Sequence, residues 1–426
     1  MDFLAELKWR GLIHEMTPGI EQELASGPKL GYIGFDPTAP SLTIGNYIQV
    51  MLLTFFQRAG HIPVVLLGGA TSRIGDPSGK DEERQLKPVE ELEANLRQLK
   101  AQFKKLLNFD DGPNKAIFVD NYDFYKDLNV LDFLRNVGKH LTINYMLAKE
   151  SVKNRMERES GISFTEFSYQ LLQGYDFARL YKDRGLTIQM GGSDQYGNIT
   201  TGVELTRRLY GGKVYVITTP LLTKADGKKF GKSESGNIWL DPDKTSPYRF
   251  YQFWINADDA DLPKLYRYFS LRPQAEILQL ESDYRDQPQK LKQLLAEELT
   301  VRIHSRQAFE SVIRVTNLLF NRKASEDQLK SLSGTELAAI AAEIPHFEIP
   351  AARIADGINI VDLMAEATSI APSKSEARKA IKNNAVAVNK VKISGHQTRI
   401  TGQDLLLGKY LLLENGKKNK YMILAK

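Results

Sequence analysis

The sequence predicts an α/β protein with an open, mainly parallel sheet, followed by a helical domain and a small α+β domain at the C-terminus. Three observations predict it. Over the first 220 residues, short apolar runs rich in β-formers at Leu30–Phe35, Ile62–Leu67, 116–119, 187–190 and 214–218 alternate with longer helical patterns. Between 247 and about 321 glycine vanishes and apolar residues fall at helical spacing, as in Leu291, Leu294, Leu295, Leu299 and Val301. In the tail, 360–367 and 373–383 read as two helices, and 385–389 begins a series of short strands that ends at 421–424. At 426 residues the chain is too long for one ordinary core. The expected division is therefore 1–222 for a Rossmann-like sheet domain, 223–246 for a mobile loop, 247–321 for helices, 322–355 for a linker and 356–426 for the C-terminal domain. Neither an internal repeat nor a low-complexity tract interrupts it.

The first strand, Leu30–Phe35, runs into a turn containing Pro and Thr, and Thr43-Ile44-Gly45-Asn46 then opens an apolar helix. Amide groups at such a helix start attract phosphate, Gly45 leaves the approach clear, and Thr43 and Asn46 carry donors for anionic oxygens. An ordinary helix cap has the same composition. Nearly two hundred residues later, Lys229-Phe230-Gly231-Lys232-Ser233 sets two lysines three apart around a glycine, a pattern suited to clamping pyrophosphate. Glycine-rich turns also follow Leu66-Leu67 and Gln189-Met190, so the irregular segments gather beyond the carboxyl ends of strands, where such sheets bind ligands.

Tyr169, Gln173 and Asp176 stand at i, i+4 and i+7, which stacks them on one helix face. Phe167, Leu171, Leu172, Phe177 and Leu180 make that segment apolar, so a carboxylate within it requires a partner, supplied either internally or by a ligand. Asp76 lies in a tight Gly-Asp-Pro loop. After the strand at 187–190, Gly192 and Asp194 would let a ribose approach the backbone and receive its hydroxyl hydrogen bonds, and Gln195 can donate to a carboxylate or phosphate.

Composition narrows the class. Hydrophobic content of 42% is that of a globular protein, and no apolar run approaches a membrane span. The amino terminus lacks a signal-peptide pattern, so a cytoplasmic location is expected. With no cysteine, neither a disulfide nor a thiolate zinc site is available. From Ile358 onward there are 12 Lys and Arg against 5 Asp and Glu, a balance of +7 in a chain of +5, so the preceding residues carry −2. A basic tail of this kind attracts polyanions. Lys374, Arg378, Lys379 and Lys382 cluster within about two and a half turns of one predicted helix.

The segments at 34–46, 68–80, 163–177, 189–200 and 224–236 together resemble the class I aminoacyl-tRNA synthetases, and in full context the bacterial tyrosyl-tRNA synthetases, over essentially the whole chain. That family writes its two signatures His-Ile-Gly-His and Lys-Met-Ser-Lys-Ser. Here Thr43 and Asn46 stand for the two histidines, and Phe230 and Gly231 for Met and Ser. Threonine's hydroxyl cannot reach as far as an imidazole, while asparagine keeps an amide donor.

The resemblance implies activation of tyrosine by ATP, then transfer of the tyrosyl group to the 3′ end of tRNA(Tyr), by a homodimer whose interface 122–141 would supply, although a core helix pair has the same composition. It implies that Tyr32 and Asp176 hydrogen-bond the substrate phenol while Asp76, Tyr169 and Gln173 hold the α-ammonium. ATP would lie against Asp36, Gly45, Gly192, Asp194, Gln195, Lys232 and Ser233, with Thr38, Thr43, Asn46, Lys80, Arg84, Lys229 and Lys232 acting on the phosphates. Magnesium would arrive with ATP, with no metal site built from protein ligands. The tail resembles a small RNA-binding domain of ribosomal-protein type. Two rival readings are a noncatalytic RNA-binding relative and a synthetase for another aromatic amino acid; retention of Asp76, Asp176, Lys229 and Lys232 argues against the first, and the pair Tyr32 and Asp176 against the second.

Overall fold

The computed structural model describes residues 1–78, 84–157, 161–223, 225, 227, 230–233, 236–320, 325–416 and 419–426, apart from the side chains of Lys232, Ser233 and Phe320. Backbone contacts divide the chain into two units, Met1–Thr245 with Phe253–Ile303, and Ser246–Gln252 with His304–Lys426.

The first unit is built on a six-stranded sheet. Its strands are β1 (Glu15–Met16), β2 (Leu30–Phe35), β3 (Ile62–Leu67), β4 (Ile117–Asp120), β5 (Ile188–Gly192) and β6 (Tyr215–Thr219), in the order β1-β6-β5-β2-β3-β4. Only β1 runs antiparallel. Every residue of β5 and β6 is buried, which explains why apolar and small residues dominate them, Gln189 apart: a parallel sheet covered on both faces has no polar side. The chain steps outward from β2 through β3 to β4 and then returns to the other flank of β2 as β5. Strand order thus reverses between β2 and β5, the place where a doubly wound sheet opens a crevice.

Four helices border that crevice or carry its side chains: α1 (Ile44–Arg58), α2 (Val89–Leu106), α3 (Phe164–Arg184) and α4 (Tyr196–Tyr210). Thr43 caps α1 in a capping box with Asn46. Ser163 caps α3, and Gly185 ends it in the left-handed conformation with φ +64°. Further helices of this unit are α5 (Leu262–Phe269), α6 (Gln274–Asp283) and α7 (Pro288–Ile303). They join the sheet through buried contacts: the Arg10 guanidinium donates to the carbonyls of Arg267, Ser270 and Arg272, and Phe269 stacks on Tyr47 of α1 at 5.9 Å. The helical run 247–321 is therefore shared between the two units.

The second unit contains α8 (Arg306–Phe320), α9 (Gly334–Glu343) and α10 (Lys374–Lys382), with strands β7 (His346–Ile349), β8 (Val386–Val388), β9 (Val391–Lys392), β10 (Tyr410–Asn415) and β11 (Asn419–Ala425) in the sheet order β9-β8-β10-β11-β7. Its core gathers Ile354, Leu363, Ile381, Val386, Leu411 and Ile423. The described part of 322–355 is structured where a linker was expected. Ser325 with Gln328 and Ser333 with Glu336 form capping boxes that start two helices, and β7 pairs in parallel with the last strand, Met422 opposite His346. The scattered Ser, Glu and Asp that resemble loop composition are helix caps. Where one helix was expected at 360–367, a short turn at Ile360–Asp362 widens into a π-helical turn at Leu363–Ala367.

Candidate active site

A cavity of about 740 Å³ opens at the carboxyl ends of β2 and β5. Its lining brings together Tyr32, Asp36, Thr38, Thr43, Gly45, Asn46, Asp76, Arg84, Gln173, Asp176, Gly192, Asp194 and Gln195. Residues more than 160 positions apart in sequence thus face one space.

At its base, Tyr32 from β2 and Asp176 from α3 are both fully buried. Asp176 Oδ2 accepts from Asn121 Nδ2 at 2.9 Å, and Oδ1 accepts from the Tyr125 hydroxyl at 2.8 Å. Burial pushes the Asp176 carboxyl up to about 7, with Asp36 and Asp120 adding to the rise while the two hydrogen bonds oppose it. Burial, and then the neighbouring Asp176, also hold the Tyr32 phenol well above its ordinary value, so it remains a donor. Among the described residues the Tyr32 hydroxyl has no hydrogen-bond partner, and neither do Gln173 Oε1 and Gln189 Oε1, all buried at this cavity. Gln49 Oε1 is a fourth, and because unsatisfied buried polar atoms are costly in a folded protein, four at one cavity mark a polar ligand's place.

Asp76 is held from three sides. Ser78 N and Asn198 Nδ2 donate to Oδ1 at 2.9 and 3.3 Å, and Gln195 Nε2 donates to Oδ2 at 2.8 Å. The Asp36 carboxylate accepts from Thr71 at 2.7 Å and from the Tyr169 hydroxyl at 2.9 Å; burial raises it to about 6. Tyr169 is thus engaged behind Asp36 and is not among the lining residues, whereas Gln173, one turn on, is. Gly192 serves close approach, since a Cβ there would stand 2.4 Å from Asp194 Oδ1. Arg84 donates to the Asp76 carbonyl at 3.1 Å and borders the cavity.

At the mouth, Thr43 N and Oγ1 both donate to Asn46 Oδ1, at 3.1 and 2.8 Å. Those bonds commit the Asn46 amide oxygen to the cap and leave its NH₂ group available as a donor. Ile44 N donates to the Ile238 carbonyl at 3.0 Å, Leu240 N to the Leu42 carbonyl at 2.9 Å, and Ile238 N to the Gly231 carbonyl at 3.1 Å, which lays the second signature along the first. Phe230 anchors it: the ring is buried against Phe253, Trp254 and Phe269 at 5.2, 5.9 and 6.0 Å. Lys80 and Lys229 lie outside the described residues, as do the side chains of Lys232 and Ser233.

On α10, Ala377 and Ile381 face the core while Arg378, Lys379 and Lys382 are exposed. Lys374 is held by Asp362 and Glu366 at 2.8 and 2.7 Å, and Lys379 lies 3.8 Å from Glu376.

Reading the sequence missed Asn121, Tyr125, Thr71 and Asn198, which hold Asp176, Asp36 and Asp76. One signal was available: Asn121 directly follows β4, and a polar residue at the carboxyl end of a parallel strand is well placed for a site. Tyr125 and Asn198 lie in ordinary helical sequence and carry no such mark.

Two family models match the chain: "tRNA synthetases class I (W and Y)" over residues 27–321, more than half of it, and "Tyrosine--tRNA ligase SYY-like C-terminal domain" over 336–424. The Tyrosine--tRNA ligases of Porphyromonas gingivalis and Bacteroides fragilis are each 50% identical to it, over 430 and 431 residues, with the whole of both chains covered. Among solved structures, a C-terminally truncated mitochondrial tyrosyl-tRNA synthetase of Aspergillus nidulans is 31% identical with a TM-score of 0.68, covering 75% of this chain and 94% of its own. With the parallel sheet, the cavity at its reversal point and two signatures meeting at its mouth, these full-length matches show that the chain belongs to the class I aminoacyl-tRNA synthetases, in the tyrosine–tRNA ligase family.

Proposed function

We propose that the cavity of the first unit joins L-tyrosine to ATP and then to tRNA(Tyr), with Tyr32 and Asp176 receiving the substrate phenol. The observation that carries this is the buried, unpartnered Tyr32 hydroxyl sharing a cavity with the buried Asp176 carboxylate. A phenol can accept from the first and donate to the second; phenylalanine would leave the Tyr32 hydroxyl unpartnered and offer Asp176 no further donor. A site matched to a hydroxyl rejects the analogue that lacks it, a behaviour for which tyrosyl-tRNA synthetases are themselves the standard example.

Asp76 and Gln173 suit the substrate α-ammonium, with Tyr169 acting from behind through Asp36. The tyrosine carboxylate oxygen attacks the α-phosphorus of ATP, the bond to the bridging oxygen breaks, and pyrophosphate leaves. A hydroxyl of the terminal adenosine of tRNA then attacks the tyrosyl carbonyl and releases AMP. No protein nucleophile is needed, so the chain's part is to position the reactants and to offer donors to the phosphates. Thr38, Thr43, Asn46 and Arg84, together with Lys80, Lys229 and Lys232, are the proposed donors; Asp36, Gly45, Gly192, Asp194, Gln195 and Ser233 are proposed to border the nucleotide. Magnesium enters with ATP as part of the substrate.

The exposed residues Arg378, Lys379 and Lys382 support tRNA binding by the second unit. Homodimer formation is supported by the apolar side chains of Val130, Leu131, Leu134 and Ile143, which are 66, 72, 49 and 59% exposed. Bacterial relatives and a tRNA substrate support a cytoplasmic location. The deciding measurement is ATP–pyrophosphate exchange with tyrosine, phenylalanine and tryptophan supplied in turn. Exchange is expected with tyrosine alone, and its absence in folded protein with magnesium would sink the proposal.

A further inference from the structure

We propose that Tyr125 is a positioning residue for Asp176, orienting the carboxylate that receives the substrate phenol and favouring its ionised form. The inference rests on the phenol-binding reading of Tyr32 and Asp176 given above.

Tyr125 ends the short helix Tyr122–Tyr125 that follows β4. Its ring packs at 6.1 Å edge-on to Phe133 and 5.9 Å from Tyr175, so the aromatic body is fixed independently of the hydroxyl. The hydroxyl oxygen lies 2.8 Å from Asp176 Oδ1 and also 2.8 Å from the Leu172 carbonyl. It has one hydrogen for two acceptors.

The protonation of Asp176 decides where that hydrogen goes. Facing an ionised Asp176, a bond to the carboxylate is charge-assisted and is the stronger choice. When Asp176 is protonated, the carboxyl can donate to the Tyr125 oxygen, and Tyr125 turns its hydrogen to Leu172. Only the ionised form offers a pure acceptor to a substrate phenol, whereas a protonated carboxyl competes with the phenol as a donor.

The groups facing Asp176 make this choice a close one. Asp36 from the loop after β2 and Asp120 from β4 oppose ionisation, as does burial. Tyr32 from β2 and Tyr169 on α3 feel the same carboxylate and stay protonated. The hydrogen bonds that favour the charged form come from Asn121 and Tyr125. Asn121 also accepts from Ala70 N and donates to Thr71, and so cannot follow the proton. Tyr125 can.

The test measures L-tyrosine dissociation constants from pH 5.5 to 9 for the full-length enzyme and for Tyr125→Phe and Asp176→Asn, with folding checked by circular dichroism. Wild-type affinity is expected to rise through about pH 7. A hydrogen bond to a charged group is worth enough to move that midpoint upward by about one unit in Tyr125→Phe, weakening tyrosine about fivefold at pH 7 and about tenfold below pH 6, and recovering toward pH 9. The preference for tyrosine over phenylalanine in exchange should narrow by the same factor at pH 7. A midpoint unmoved in Tyr125→Phe, or a loss of affinity equal at every pH, overturns the role of Tyr125 and leaves a residue that merely packs. If Asp176→Asn instead keeps wild-type affinity and pH profile, the phenol-site reading itself fails, so the two failures are told apart.

Discussion

The backbone of Gly231 lies against that of Gly45, so closely that a Cβ on Gly231 would stand 3.2 Å from the Gly45 nitrogen. Gly231 also has φ +88°, a conformation side chains resist. The family signature carries serine where this chain has glycine, and the contact and the positive φ supply a local reason: here the loop crosses the start of α1 with little room for a side chain.

Gly231→Ala is therefore expected to displace the loop from α1. Positive φ alone costs an alanine about 1–2 kcal/mol, and the close contact adds to that. Because the altered segment carries the signature lysines, the adenylation rate should fall about tenfold, the equivalent of about 1.4 kcal/mol, while tyrosine affinity changes little. Pre-steady-state adenylate formation separates the two quantities. A wild-type rate in the variant would mean that this arrangement of the loop is not the reactive one.

Phe230 gives a second test of the same anchor. Truncation to alanine removes a ring packed among three aromatic side chains and should cost about 3–5 kcal/mol in denaturant unfolding of the first unit. Phe230→Met, the residue of the family signature, preserves most of the volume and should cost less than about 1.5 kcal/mol. Equal losses in the two variants would argue that something other than packing sets the position.

Much of this arrangement was legible in the sequence because it is carried by local patterns. The strand at Leu30–Phe35, the cap at Thr43 and the face formed by Gln173 and Asp176 each depend on a few adjacent residues. The capping boxes at Ser325 and Ser333 were legible too, as Ser-x-x-Gln and Ser-x-x-Glu, but their polar composition resembles a linker. Other relationships leave no local trace. The division of 247–321 depends on Arg10 reaching the carbonyls of Arg267, Ser270 and Arg272, more than 250 positions away, and the bond from Tyr125 to Asp176 joins two helices 51 positions apart in the long connection from β4 to β5.

Asp176 should also leave a mark on stability. Its carboxyl is raised from 3.8 to about 7, so between those values the folded, ligand-free protein holds a proton that the unfolded chain has released. The contribution of this group to stability then falls as pH rises from about 4 to about 7, and its loss is complete above the folded value. Its size is at most on the order of 4 kcal/mol. Asp176→Asn removes this effect, so the difference in unfolding free energy between variant and wild type should shift in the variant's favour with rising pH. Parallel pH profiles in urea titrations would show that the carboxyl titrates normally.

The exposed basic residues of α10 make the last prediction. Arg378 and Lys382 are one helical turn apart and have no ion-pair partner among the described residues, whereas Lys374 on the preceding turn is committed to Asp362 and Glu366. A cation free of carboxylates can displace counterions from a phosphate backbone; one already paired must first give up its partners. Arg378→Glu with Lys382→Glu should weaken tRNA binding about tenfold or more at moderate salt and reduce the slope of log affinity against log salt by about one for each phosphate no longer met. Lys374→Ala should change that slope little and, because its ion pairs are exposed at the surface, should cost little stability. Tyrosine-dependent exchange should remain at the wild-type level in all of these variants, because the substitutions lie outside the unit that contains the cavity. The measurement is tRNA binding across a salt series, made on the full chain because β7 closes the sheet against the last strand and a cut at 356 would remove it. If the double variant binds tRNA with the wild-type salt slope, this face of α10 does not meet the nucleic acid.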